Sequence, residues 1–131
     1  MAQDIAIYRT VIAAIQEFGG ITANNWIETA DMMGKFPDDE LWWQGICEDA
    51  QEAIIDVDAV IVESSGVSTL GVGYELAQAL TLKRPVLALV KDGDANAYVR
   101  GINHPSLQVV LYTPENIAKI VGKFLHEVSN E

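Results

Sequence analysis

Glu75 is the residue of this sequence best placed to do chemistry. It stands in the stretch Ser68-Thr69-Leu70-Gly71-Val72-Gly73-Tyr74-Glu75-Leu76. A β-rich run over 59–62 precedes the stretch, and a helix-like run over 76–82 follows it. Gly71 and Gly73 let the backbone approach a ligand closely, and a helix N-terminus behind them favours negative charge. In the first turn of that helix Glu75 is expected to be held ionised by the dipole, as a nucleophile or a ribose-binding group requires. The plain alternative is ordinary helix chemistry, since an acidic first-turn residue contributes only ~0.3–1 kcal/mol. Glu63 ends the preceding strand, at the end where ligands usually bind in open α/β sheets. It can orient a sugar there, or it can simply accept hydrogen bonds from the following turn. Arg100 follows a polar loop and can hold a phosphate with its bidentate fork. Its alternative is an ion pair with one of the 19 acidic residues.

The elements that must position these groups alternate. Ile5, Tyr8, Val11, Ile12, Ile15 and Phe18 recur at helical spacing, and Gly19 and Gly20 stop that helix. A short strand is expected over 21–27, weakened by Asn24 and Asn25. Residues 28–39 read as irregular, with Gly34 and Pro37 as breakers. Asp38 or Asp39 can cap a second helix running to about Ile55. Its apolar stripe is Leu41, Trp42, Ile46, Ala50, Ala53 and Ile54. Continuous apolar runs over 59–62 and 85–90 read as parallel strands buried on both faces. A short helical turn is expected over 98–101 and a last strand over 107–112. Thr113 is expected to cap the final helix, with Pro114 at its first position. The pattern predicts one α/β domain spanning 1–131: a three-layer, mostly parallel, flavodoxin- or Rossmann-like sheet with helices on both faces. Such sheets usually begin with a strand, and here only residues 1–4 precede the first helix.

Composition narrows the partners. The chain has 131 residues and a net charge of −11. That field repels nucleic-acid polymers and anionic membranes. A single anionic nucleotide remains possible, bound by local N–H groups and a few cations. The lone Cys47 excludes an intrachain disulfide and fits a reducing, cytoplasmic setting. His104, His126 and Cys47 show no metal-ligand spacing, so no metal or cofactor is expected. Trp42 and Trp43 are adjacent and must face different directions on a helix. One suits the core, the other a subunit interface or a base.

The run DAVIVESSGVSTLGVGYELAQALTLKRPVLALV resembles the core of the nucleoside 2-deoxyribosyltransferase family. It is closest to the branch that hydrolyses 2′-deoxynucleoside 5′-monophosphates at the N-glycosidic bond. IYRTVIAAIQEFG resembles the family's first helix, and NAYVRGINHPSLQVVLY its late segment. The resemblance implies that Glu75 is the nucleophile on C1′ of the deoxyribose. It implies that Thr69 or Ser68 binds the 5′-phosphate with the Gly71 and Gly73 backbone. Glu63 matches the family's strand-end acid. Asp49 stands nearest the family's upstream Asp, one residue out of register, and Asn96 takes the place of a Ser supplied by a neighbouring subunit. The family's first strand, with its glycine-rich loop, is missing. Either the true start lies upstream or the sheet is completed differently: the flanking strands close the gap, or another chain pairs with the edge.

The leading expectation is an enzyme that cleaves or transfers at the N-glycosidic bond of a deoxynucleoside or its 5′-monophosphate, as a dimer or higher homo-oligomer. Two rivals stand against it. One is a degenerate relative that binds a nucleotide or a partner protein without turnover. The other is a different nucleotide-phosphate hydrolase sharing a glycine-rich loop and a downstream Glu.

Overall fold

The computed structural model describes residues 2–23, 40–65, 70–94 and 98–130. In chain order these form α1 (Ala2–Phe18), α2 (Glu40–Asp56), β1 (Val60–Glu63), α3 (Leu70–Thr81), β2 (Val86–Lys91), a 3₁₀ turn (Tyr98–Gly101), β3 (Leu107–Tyr112) and α4 (Ile117–Ser129). The strands form one parallel sheet in the order β1-β2-β3. The α/β architecture expected from the sequence is present.

Alternation within β2 builds both cores. Residues Val86 to Val90 are all fully buried, as a central parallel strand covered on both faces requires. Val86, Ala88 and Val90 face a cluster with Ile54 of α2 and with Leu76 and Ala79 of α3. Leu87 and Leu89 face the opposite cluster, with Ala14 of α1 and with Ile117, Val121 and Phe124 of α4. Each buried side chain of this kind stabilises the fold by ~1.5–3 kcal/mol, so β2 anchors the layers.

Two helices end in the same hydrogen-bonded motif. Gly20 N–H donates to Ile15 O and Gly19 N–H to Gln16 O, closing α1 with Gly19 at φ +99°. At the end of α3, Arg84 N–H donates to Ala79 O and Lys83 N–H to Leu80 O. Lys83 holds the left-handed position there at φ 57°, where glycine is usual.

Several expectations are corrected. Residues 21–23 are not strand, and Ile21 is almost fully exposed; the remainder of the strand expected over 21–27 lies outside the described residues. Among the described residues β1 pairs on one side only, with β2. Helix α4 begins at Ile117, not at Pro114. Asn116 folds back instead: its Oδ1 accepts from Thr113 N–H at 2.8 Å, and its own N–H donates to Thr113 O. That turn uses up the residues assigned to capping. Helix α3 begins at Leu70, so Gly71 and Gly73 lie inside the helix and not in a loop before it.

Candidate active site

The candidate site sits where β1 hands over to α3, at the carboxyl edge of the sheet. Glu63 closes β1 and Glu75 lies in the second turn of α3. The glycines did not break the helix because its apolar positions are spoken for. Leu76 and Ala79 are buried, and Val72 and Leu80 pack against the same cluster. Packing of that size outweighs the ~1 kcal/mol that a helical glycine costs.

This placement adds a desolvation effect to the electrostatics of Glu75. Its carboxyl is half-buried, and desolvation raises its pKa above the usual glutamate value. Burial disfavours the charged form. A second-turn position lies beyond the stretch where the helix dipole acts most strongly. Burial therefore works against the ionised form that a first-turn placement would favour.

Gly73 offers open space on the same helix. A Cβ built there would meet nothing within 4 Å. A ligand can approach this backbone closely, the use that glycine alone permits. Gly71 belongs to the first turn, whose N–H groups lack helical acceptors and can donate to an anion.

Glu63 is engaged by its own turn. Ser65 N–H donates to Glu63 Oε1 at 2.7 Å. Ser65 Oγ in turn accepts from Lys91 N–H at 2.5 Å, tying the ends of β1 and β2 together. Buried Ser64 adds a backbone N–H bond to Leu89 O at 2.9 Å. Ser65 was not singled out from the sequence; a hydroxyl two residues past a strand-end acid was the signal.

The other candidates are scattered. Arg100 is exposed on the 3₁₀ turn. Asp49 is exposed on α2 and lines a groove along the outer edge of β1, whose described lining includes neither Glu75 nor Glu63. Ser68, Thr69 and Asn96 lie outside the described residues. Trp42 and Trp43 meet edge to face at 4.7 Å; Trp42 is half-buried and Trp43 exposed. His104 accepts from Ser106 N–H at 3.1 Å, as a loop histidine does. Among the described residues no metal-binding cluster occurs, and no helix is long and apolar enough to cross a membrane.

Comparison with known proteins agrees with this fold. No family model matches the chain. The sequence is 26% identical over 138 aligned positions to the 5-hydroxymethyl-dUMP N-hydrolase of Danio rerio, covering 97% of this chain and 90% of that protein. It is 25% identical over 133 positions to the protein of the same name from Esox lucius, covering 98% and 91%. The chain is similar to these N-hydrolases along nearly its whole length. The resemblance to the nucleoside 2-deoxyribosyltransferase family, in its N-hydrolase branch, is thereby borne out. Among solved structures, the CMP N-glycosidase BcmB of Clostridium botulinum matches with a TM-score of 0.70 at 15% identity, over 94% of this chain and 92% of the other. That likeness shows a shared fold. The relatives' names are those of enzymes, in line with the enzymatic reading of the sequence.

Proposed function

We propose that this protein hydrolyses the N-glycosidic bond of a 2′-deoxynucleoside 5′-monophosphate, with Glu75 as the nucleophile. The observation that carries the reading is Glu75 itself: a half-buried carboxyl on α3, close in the chain to the open backbone at Gly73. Similarity to two N-hydrolases along nearly the whole chain supports the reaction class.

The chemistry divides into two steps. In its ionised form Glu75 attacks C1′ of the sugar as the C1′–N bond breaks. The bonding pair leaves with the base, which takes up a proton. Water then adds to C1′ of the glycosyl ester, releasing deoxyribose 5-phosphate and restoring the carboxylate. The first-turn N–H groups of α3, Gly71's among them, hold the 5′-phosphate with Ser68 or Thr69, and Asn96 and Arg100 complete its ligands. Glu63 offers the ribose its second oxygen. Self-association belongs to the same reading, because the position of Asn96 is the one the family resemblance sets against a neighbouring subunit; light scattering tests it.

A second reading, a nucleotide-binding relative without turnover, is favoured by one observation. Asp49 lines the β1 groove, whose described lining does not include Glu75, and a carboxylate turned to that groove would not assist the nucleophile.

The deciding experiment follows base release from a panel of deoxynucleosides and their 5′-monophosphates, with Glu75→Ala in parallel. Release that requires the phosphate and vanishes in the variant is expected. Turnover unchanged in Glu75→Ala would sink the assignment. A folded parent that binds 5′-monophosphates but releases no base would establish the second reading.

A further inference from the structure

Among the described residues no strand pairs with the outer edge of β1. Val60 N–H donates to Pro85 O and Ser64 N–H to Leu89 O, so the even-numbered residues of β1 turn their backbone groups toward β2. In a parallel ladder the intervening residues turn theirs the other way. Ala59 and Ile61 therefore present N–H and C=O outward, and both line a groove of about 1160 Å³. One wall is apolar and comes from Phe18 of α1 and from Leu125 and Val128 of α4. The other wall is α2, through Ile46 and Ala53. The groove thus offers an extended chain both a hydrogen-bonding edge and apolar flanks. Edges of this kind template strand addition.

Charge chooses among extended chains. Asp49, Glu52, Asp56 and Asp58 all border the groove, and its described lining contains no Lys or Arg. A second copy of this chain, at net charge −11, is a poor match for that rim. We propose that the groove binds an extended apolar segment of a partner polypeptide flanked by Lys or Arg, which pairs its backbone with Ile61 and adds a strand outside β1.

The test uses a fluorescein-labelled peptide of four alternating Val and Ile residues between two Lys, titrated by anisotropy. Two controls carry Glu in place of Lys, or a central Pro. Amide hydrogen exchange is followed in parallel. Saturable binding of the Lys peptide is expected, with slowed exchange at Ile61. The Pro peptide should bind about ten-fold more weakly, the scale of one forfeited hydrogen bond to an edge. The double variant Glu52→Lys, Asp56→Lys should reverse the preference between the Lys and Glu peptides. Equal binding of the Pro peptide, or Ile61 exchange that the Lys peptide leaves unchanged, would overturn the proposal. So would slow Ile61 exchange in the free protein together with a doubled mass, which would assign the edge to a second copy.

Discussion

The backbone N–H of Ser65 donates to Glu63 Oε1 across 2.7 Å, so the strand-end acid is first of all part of its own turn. Ser65 then reaches Lys91 N–H through its hydroxyl. Glu63, Ser65 and Lys91 together fix the carboxyl end of β1 against that of β2. The bond to Glu63 needs an acceptor oxygen and not a charge. Glu63→Gln is therefore expected to keep the parent's stability, whereas Glu63→Ala should lose ~0.5–1.5 kcal/mol, the usual net worth of one hydrogen bond. Urea denaturation checks both. Equal losses in the two variants would show that the charge, not the turn, is what matters.

Burial of Glu75 makes stability depend on pH in a stated direction. Its folded pKa lies above the ordinary value because of desolvation. Below the unfolded pKa both states hold the proton and the group contributes no slope. Between the two pKa values the folded state keeps the proton that the unfolded state has lost, so stability falls as pH rises. The Glu75→Gln variant removes this slope. It should equal the parent at acid pH and exceed it above the folded pKa, as thermal melts across a pH series will show. Base release should run the opposite way, rising with pH through the folded pKa as the carboxylate forms. Parallel melting curves for parent and variant across the series would refute the burial effect.

Strands and layers were legible because burial writes itself into composition. The short, unbroken, β-rich apolar run at β2 reads as a strand covered on both faces, and it is one. Helix starts were harder. Gly71 and Gly73 have the local preferences of a loop, yet Val72, Leu76 and Ala79 recur at core spacing and pull the helix start back to Leu70. Local propensity lost to packing there, and Glu75 moved from the first turn to the second. Asp49 was harder still, because its register on α2 decides which way it points, and family likeness does not fix register.

Gly73 separates stability from function. Its Cβ position is open and its backbone is helical. Gly73→Ala should therefore raise stability by ~0.5–1 kcal/mol, the ordinary gain for a helix interior. If a nucleotide approaches this backbone, the added methyl occupies the ligand's place. KM for a deoxynucleoside 5′-monophosphate should then rise while the melting temperature rises too. A stabilised variant with unaltered KM would remove Gly73 from the binding surface.

Lys83 closes α3 in a conformation that suits glycine. Its φ of 57° places its Cβ against the neighbouring carbonyl, at a cost of roughly 1–2 kcal/mol. Gly19 fills the matching position at the end of α1 without that cost. Lys83→Gly is expected to stabilise the protein by ~0.5–1 kcal/mol, the strain relieved less the added freedom of an unfolded glycine. Lys83→Ala keeps a Cβ and so keeps the strain. Both changes remove one positive charge from a strongly acidic protein, so the difference between them isolates the backbone term. Chemical denaturation of the two variants side by side measures it. A gain in Lys83→Gly that Lys83→Ala matches would mean that the left-handed turn carries no strain.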